Sequence, residues 1–283
     1  MRVPVLLIAA ATVLAAACAP VDESPSATGA PGAADCARES LKTLTPEKFT
    51  FGTDQPAYEP WFVDDDPANG RGFESAVAYA LAEELGYERS DVLWTRVPFT
   101  AAVQPGAKTF DVDLNQFSIT DERERAVDFS APYYDVTQAV VALKSSPAAS
   151  AKSLADLKDV TIGAQVGTTS YDAAVELGSA RDVAVYNTND DAKAALGNGQ
   201  IDALVLDLPT AFYVTSAELT DGTIVGQLPA GDGTGEQFGA VLDEGSPLTA
   251  CVSRAVEALR ADGTLAALEQ EWLAGAGNAP ELR

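Results

Sequence analysis

The segment Ser118–Arg123 carries side chains that can bind a small anion. It reads Ser-Ile-Thr-Asp-Glu-Arg and follows the apolar run Phe110–Phe117, which predicts a strand. Arg123 offers a planar guanidinium that can form two parallel hydrogen bonds with a carboxylate. Ser118 and free backbone N–H groups can add donors. Taken alone, the same pattern also fits a surface arginine paired with a neighbouring glutamate.

Two later segments place polar groups at the ends of predicted strands. The first, Gln165–Ser170, runs from a strand through a glycine turn into a helix start, where backbone N–H groups can face an anion. Thr168 or Thr169 can equally be a simple N-cap. The second segment ends at Asp207, at the carboxyl end of a buried strand, where open α/β sheets bind ligands. Asp207 can hold an ammonium group there or cap the helix that begins at Pro209.

Together these groups fit a small molecule that carries both charges. A free amino acid has a carboxylate and an ammonium on one carbon, and unpaired burial of either charge costs roughly several kcal/mol. Its site needs a fixed cation, a fixed anion and backbone donors in a largely dry cleft. The sequence therefore predicts that Arg123 and Asp207 face one shared cavity.

The amino-acid composition excludes several functional classes. The chain has 283 residues, no histidine and a formal net charge of −24. Without histidine, Ser-His-Asp and Cys-His nucleophiles and His-ligated metals are excluded, which lowers the expectation of an enzyme. The acidic excess argues against a nucleic-acid partner, because phosphate would be repelled. Hydrophobic residues make up 47%, enough for the core of one large domain or two lobes.

The hydrophobic pattern predicts two successive α/β units that would position these groups. The first unit has strands at 49–53, 92–97 and 110–117 and a helix at 72–85. The second has strands at 160–166, 183–186 and 201–206 and helices at 170–178, 190–196 and 209–215. Two amphipathic helices, 248–259 and 265–273, close the chain and are expected to return to the first unit.

The N-terminal residues have the pattern of an export signal. Arg2 precedes a short apolar run, too short to span a bilayer, that ends in three alanines before Cys18. The Ala-Ala-Ala-Cys sequence resembles a bacterial lipobox, so residues 1–17 are expected to be a signal peptide and Cys18 to be lipidated. Ordinary cleavage after an Ala-x-Ala site is the alternative. Residues 18–45, rich at first in Ala, Pro, Ser and Gly, are expected to form a flexible tether.

Two further cysteines, Cys36 and Cys251, remain in the mature chain. An exported compartment permits disulfides, and an even pair favours one long-range bridge. Two unrelated buried thiols are the alternative.

In this order the motifs resemble the family 3 bacterial solute-binding proteins, the amino-acid receptors of ABC importers. The most specific part is the run from Ser118 to Tyr134, Ser-Ile-Thr-Asp-Glu-Arg-Glu-Arg-Ala-Val-Asp-Phe-Ser-Ala-Pro-Tyr-Tyr. Gly72-Phe73-Glu74, Val166–Thr169 and Gly199–Asp207 support it. The resemblance covers the chain from about Phe51 to Leu273.

The resemblance implies an α/β, two-lobed clamp of the type II periplasmic-binding-protein class with two crossing hinge strands. We expect the crossings near Ala139–Leu143 and Gly239–Leu242. Lobe 1 would comprise residues 46–141 and 241–275, lobe 2 residues 142–240, and a C-terminal tail residues 276–283.

The resemblance also implies roles for individual residues. Arg123 would bind the ligand carboxylate with help from Ser118 and Thr169, and Asp207 would bind the ammonium. The other implied ligand-binding residues are Tyr58 and Phe99, which would sandwich the ligand side chain, Asp54, which would read its tip, and Gln116, Gln165 and Thr168.

The resulting expectation is a monomeric lipoprotein on the extracytoplasmic face of the cell membrane, in the periplasm if an outer membrane is present. It would close around a free amino acid and deliver it to an ABC permease, without catalytic residue, metal or cofactor. Asp54 and Glu59 favour a polar or cationic ligand over an acidic one. A prephenate- or arogenate-type dehydratase of the same fold and a sensor lipoprotein that presents ligand are the alternatives.

Overall fold

The computed structural model describes residues 36–229, 235–273 and 279–283. The predicted signal peptide, Cys18 and the first part of the tether lie outside these residues. The strands of the described part are β1 Phe49–Thr53, β2 Val92–Arg96, β3 Val112–Asp113, β4 Asp128–Phe129, β5 Tyr134–Val136, β6 Gln138–Leu143, β7 Ile162–Gln165, β8 Ala184–Tyr186, β9 Ala203–Asp207, β10 Gly222–Gln227, β11 Glu236–Phe238 and β12 Val241–Leu242. Its α-helices are α1 Phe73–Glu84, α2 Phe99–Ala102, α3 Thr169–Glu176, α4 Asn189–Gly197, α5 Leu208–Tyr213, α6 Thr249–Ala261 and α7 Thr264–Trp272.

Lobe 1 is built on a five-stranded sheet with the order β2-β1-β3-β12-β4. Strand β1 is parallel to both of its neighbours, and β12, from late in the chain, pairs antiparallel with β3. Helix α1 begins after Gly72, at φ 98°, and buries Phe73, Val77 and Leu81 because they recur at helical spacing. The last two helices, α6 and α7, pack on α1, as the sequence predicted.

Lobe 2 is built on a second five-stranded sheet with the order β10-β6-β9-β7-β8. Its central strand β9 has a continuous apolar run because both of its faces are covered. Ala203 and Val205 belong to one core cluster, and Leu204 and Leu206 to a second cluster on the other side of the sheet. Because β9 is packed on both faces, its carboxyl end holds Asp207 in a fixed position.

The strands that cross between the lobes are β5 and β11, which form a two-stranded antiparallel sheet. The sequence placed these crossings a few residues later, at 139–143 and 239–242, and that prediction was wrong. Residues 138–143 form β6, an inner strand of lobe 2 that is buried on both faces, and 241–242 form β12 of lobe 1. The apolar run of β6 therefore indicates a strand covered on both faces, and not a hinge.

The first described residues belong to lobe 1 and do not extend the tether. Cys36 forms the predicted disulfide with Cys251, with 5.5 Å between their Cα atoms. Arg38 pairs with Asp91 at 2.9 Å, and the backbone N–H of Leu44 donates to Asp111 at 2.7 Å. The predicted tether, which ran to residue 45, is corrected accordingly: residues 36–45 are docked on the domain.

The C-terminal residues are attached to lobe 2. The N–H of Gln227 donates to the carbonyl of Pro280 at 2.8 Å, and the N–H of Leu282 donates back to Gln227 at 2.9 Å. The Leu282 side chain is buried in the lobe 2 core. The segment 279–283 is thus an addition to the edge strand β10 and not a free tail. Across the described ranges, every helix is too short or too polar to cross a membrane.

Candidate functional site

A cavity lies between the lobes and takes its lining from both. Its walls are Asp54, Tyr58, Phe99, Asn115, Gln116 and Arg123 from lobe 1, and Gln165, Thr168, Thr169, Ser170, Asn189, Leu206 and Asp207 from lobe 2. Nine of the ten predicted ligand-binding residues line it, and Ser118 alone among them is absent from its walls. The structure therefore brings the predicted residues together, while their roles toward a ligand remain predictions.

Arg123 lies in the cavity wall with only 9% of its surface exposed. Its Nη1 donates to the carbonyl of Ser118 at 2.7 Å and its Nη2 to the carbonyl of Gly167, in lobe 2, at 3.0 Å. The guanidinium carbon lies 5.4 Å from the centre of the Phe99 ring. Burial lowers the pKa of Arg123 from its ordinary value. Because the two bonds use two of the five N–H groups of a guanidinium, the group retains the capacity to bind a carboxylate.

Asp207 ends β9 inside the same cavity. Its side chain forms no capping bond with α5, which was the alternative role considered from the sequence. Its Oδ1 instead accepts from the Gln138 side chain at 2.8 Å, because Gln138 is the residue opposite it in the strand pairing. Burial, and secondly the nearby Glu236, raise the pKa of Asp207 to about 8. An adjacent cation would favour the ionised form.

Ser118 and Thr169 meet across the two lobes with 3.1 Å between their hydroxyl oxygens. Both hydroxyls also lie within hydrogen-bonding distance of Glu236 Oε1, which for Thr169 is 2.5 Å away. The Gln138 amide donates to the second oxygen of Glu236 at 2.9 Å. Glu236 and Gln138 were not predicted as site residues. The available signal was Gln138 itself, a polar residue directly before the apolar run 139–143, because a polar side chain buried with such a run needs a hydrogen-bond partner.

Thr168 serves as the N-cap of α3. Its hydroxyl accepts from the N–H of Tyr171 at 3.1 Å and donates to the carbonyl of Gln165 at 2.8 Å. Its hydroxyl is thereby committed to the local turn, which is the alternative that the sequence left open. Thr168 lines the cavity, but the hydrogen bonds of its side chain stabilise the turn before α3.

Tyr58, Phe99 and Asp54, the residues predicted to contact a ligand side chain, all lie in the cavity lining. Phe99 stacks on Phe117 with 4.8 Å between ring centres, and Asp54 Oδ2 accepts from the Phe99 N–H at 3.0 Å. The Lys193 ammonium of lobe 2 lies 5.8 Å from the centre of the Tyr58 ring. Asp54 therefore lies in the cavity lining, bonded to the backbone of Phe99, and its role in reading a side-chain tip stays a prediction.

Glu59 does not line the cavity, contrary to the expectation from the sequence. It lies near Tyr213 of lobe 2, where burial and then Glu59 raise the pKa of the tyrosine to about 12. The acidic character of the cavity thus comes from other residues, Asp54 and Asp207 in its lining and Glu236 beside it.

Several known proteins are similar to this chain. The L-arginine-binding protein of Pseudomonas aeruginosa is 29% identical over 238 residues, which cover 79% of this chain and 90% of that protein. The L-cystine-binding protein TcyJ of Escherichia coli is 29% identical over 223 residues, covering 76% and 79% of the two chains. A solved structure of an ancestral arginine-binding protein bound to glutamine superposes with a TM-score of 0.68 at 30% identity, over 81% of this chain and 98% of that one.

These similarities agree with the fold and with the cavity. The α/β, two-lobed clamp with crossing strands is confirmed by the two sheets, by the β5–β11 pair and by the solved neighbours. Residues 49–275, most of the chain, match the sequence profile of one protein family. The protein therefore belongs to the bacterial extracellular solute-binding proteins, family 3.

Proposed function

We propose that this protein is the extracytoplasmic binding component of an ABC importer for a basic amino acid. The observation that carries the proposal is that Arg123 and Asp207, from opposite lobes, line one cavity. Relatives named for binding arginine, cystine and histidine support an amino-acid ligand and a non-catalytic role.

Arg123 binds the ligand carboxylate and Asp207 binds its ammonium. Arg123 is buried and Asp207 is partly buried, so each charge is expensive to leave unpaired, and one zwitterion neutralises both. The two residues belong to different lobes, and a ligand that contacts both stabilises the closed arrangement over an open one. Closure is thus the consequence of binding that a membrane permease can recognise.

The charges that remain select the ligand side chain. Once the zwitterion has matched Arg123 and Asp207, the carboxylate of Asp54 is left in the cavity, with Glu236 nearby. A cationic side chain balances this excess, whereas an acidic one adds to it. The rings of Tyr58 and Phe99 suit the apolar stem of such a side chain, which gives arginine, lysine, ornithine and histidine as the ligand class.

The same proposal includes an envelope location. Cys18 carries the lipid, the tether ahead of Cys36 keeps the monomeric clamp near the membrane, and an ABC permease receives the ligand. The periplasm is the compartment if the cell has an outer membrane. Support comes from the order of charged, apolar and small residues before Cys18. Detergent partitioning of the full-length protein and of Cys18→Ala tests this part, and equal partitioning of the two would contradict it.

Calorimetric titration of the mature protein with a panel of amino acids tests the ligand. The panel is L-arginine, L-lysine, L-ornithine, L-histidine, L-glutamine, L-cystine and L-glutamate. We expect a basic amino acid to bind most tightly and to stabilise the protein by about 2.7 kcal/mol at 100 times its Kd. Arg123→Ala and Asp207→Asn should abolish binding while the circular dichroism spectrum is retained.

Three results would each contradict a part of the proposal. If no amino acid binds, the amino-acid function is wrong. If L-glutamate binds most tightly, the inference that the acidic cavity selects a cationic side chain is wrong. Turnover of prephenate or arogenate by the same preparation would contradict the non-catalytic role.

A further inference from the structure

The chain passes from lobe 1 to lobe 2 once more after its last helix. Leu273, which follows α7, is 4% exposed and packs in the core of lobe 1. Leu282 is 2% exposed and packs in the core of lobe 2. The C-terminal end of the chain therefore connects the lobes in addition to the crossing strands β5 and β11.

The C-terminal segment 279–283 is bound beside the hinge. Glu281 pairs in parallel with Gln227, the last residue of β10. The side chain of Gln227 makes two further bonds, because its Nε2 donates to the carbonyl of Ala279 at 2.6 Å and its Oε1 accepts from the hydroxyl of Thr137 at 2.8 Å. Thr137 is the residue between the crossing strand β5 and β6. One side chain thus joins the C-terminal segment to the hinge.

Gly226 leaves the space that the C-terminal segment occupies. A Cβ atom at this position would lie 2.6 Å from the carbonyl oxygen of Pro280 and 2.7 Å from Cγ of Leu282. Both distances are too short for a carbon contact, so an alanine would fit only if the segment moved away. The φ of Gly226 is not positive, so the contact with the segment, and not the backbone conformation, requires glycine here.

The connection between the two lobes is short. Six peptide steps separate Leu273 from Ala279 in the sequence, and they can span at most about 20 Å. If the lobes move these two points further apart, Leu282 must leave the core of lobe 2. That movement exposes a leucine to water and breaks the bonds of Gln227, so the bound segment opposes wide opening. A segment on so short a connection also rebinds readily, because its effective concentration is high.

We propose that the C-terminal segment 279–283 is a strap that restricts how far the two lobes open. The restraint depends on two features, the seat of Leu282 in lobe 2 and the short connection to Leu273 in lobe 1. This inference concerns the motion of the clamp. It does not rest on the proposed function and holds for any ligand of the cavity.

A lengthened connection tests the strap directly. Ten Gly and Ser residues inserted between Gly277 and Asn278 add about 30 Å of reach and leave every residue of the seat in place. Small-angle X-ray scattering of the ligand-free mature protein should give a larger radius of gyration for this variant than for the wild type. The urea midpoint and the hydrogen-exchange protection of the Leu282 N–H should stay at their wild-type values, because Leu282 remains bound.

Two substitutions release the segment from opposite sides of the contact. Leu282→Asp acts from the segment and Gly226→Ala acts from lobe 2. Both should increase the radius of gyration as the insertion does, and both should remove the exchange protection of residue 282. The matched controls are Glu281→Ala, on the exposed side of the same segment, and Gly197→Ala, where a Cβ would lie 3.9 Å from its nearest neighbour, Cδ2 of Leu219. Both controls should keep the wild-type radius.

The insertion separates a strap from simple packing. If the released variants are expanded but the lengthened one has the wild-type radius, Leu282 only stabilises lobe 2 and the strap is overturned. Equal radii in all variants, with circular dichroism showing each of them folded, overturn it as well. If the wild type binds no amino acid, the proposed function fails, while the scattering comparison still decides whether the segment restricts opening.

Discussion

The indole N–H of Trp61 donates a hydrogen bond to the hydroxyl of Thr210 at 2.8 Å, and this bond joins lobe 1 to lobe 2. The indole also meets both crossing strands edge-on, with ring-centre distances of 5.7 Å to Tyr134 and 5.6 Å to Phe238. Thr210 lies in α5, the helix that follows Asp207. Trp61 is fully buried, so its ring is part of the hinge core and not a ligand contact.

Trp61→Phe should weaken both folding and closure. The phenyl ring keeps much of the aromatic packing but cannot donate, so the Thr210 hydroxyl loses its partner. We expect the free energy of unfolding to fall by about 1–2 kcal/mol and the affinity for the ligand to fall a few-fold. Urea denaturation and titration calorimetry measure the two effects.

Thr210→Val provides the partner for a double-mutant cycle on this bond. If the bond is what matters, the double variant is less destabilised than the sum of the single variants by about 1 kcal/mol. Simple additivity would show that the two side chains act independently.

Secondary structure could be predicted from the sequence where the spacing of apolar residues matches the face that is buried in the structure. Strand β1 matches the predicted 49–53, and α1 lies within the predicted 72–85, because the apolar spacing in each follows from one buried face. The predicted strand 110–117 is regular only at Val112–Asp113. Gln116 has φ 50°, so the backbone leaves the extended conformation there, and an apolar sequence pattern does not predict this.

The site was predictable where one short motif supplies a charge and unpredictable where distant strands supply it. Arg123 and Asp207 each stand at the end of a recognisable segment. Glu236 meets Ser118 only because the segment 117–119 pairs with the segment 237–239, and Gln138 meets Asp207 only through the β6–β9 register. Neither pairing has a local sequence signature, since register is set by turn geometry and by burial of whole strands.

Removal of the Cys36–Cys251 disulfide should lower stability and leave binding intact. The bridge restrains the unfolded chain over a sequence separation of 215 residues, and Cys251 lies in the lobe 1 core and not in the cavity lining. For the double variant Cys36→Ser/Cys251→Ser we expect a loss of about 2–4 kcal/mol in the free energy of unfolding. Denaturation by urea measures it, and the wild type treated with reductant is the control. A changed Kd for the ligand would show that the bridge also shapes the site.

Glu74 is expected to control both the stability of lobe 1 and the shape of the cavity wall. It is fully buried, and its carboxylate accepts from the backbone N–H of Gln116 at 2.7 Å and from the hydroxyl of Tyr133. Glu74→Ala leaves both donors without this partner, which should cost about 2–4 kcal/mol of unfolding free energy. Because Gln116 lines the cavity, affinity should fall as well. A variant with wild-type stability and affinity would contradict this role.

Glu74 should also make stability depend on pH. Burial raises its pKa to about 7 in the folded protein, against an ordinary value near 4.5. Between these two values the folded state binds more protons than the unfolded state, so the unfolding free energy falls as pH rises, by about 3 kcal/mol over the whole window. Urea titrations at pH 5 and pH 7.5 should show the fall, and Glu74→Gln should reduce it. Glu83→Gln, on the exposed side of α1, is the control and should keep the wild-type slope.

Ligand affinity should rise with pH toward 8, because Asp207 must be ionised to hold an ammonium. Its pKa of about 8 follows from burial first and from Glu236 second, so below that value the ligand-free carboxyl is mostly protonated. The ammonium favours the ionised form, and binding at pH 6 or 7 must therefore release a proton. We expect the Kd to increase by up to about tenfold per unit as pH falls from 8 to 6. Calorimetry in two buffers of different ionisation enthalpy detects the proton directly. A Kd that is equal at pH 6 and pH 8, with no proton released, would mean that Asp207 is already ionised before the ligand arrives and that its charge is held by protein groups alone.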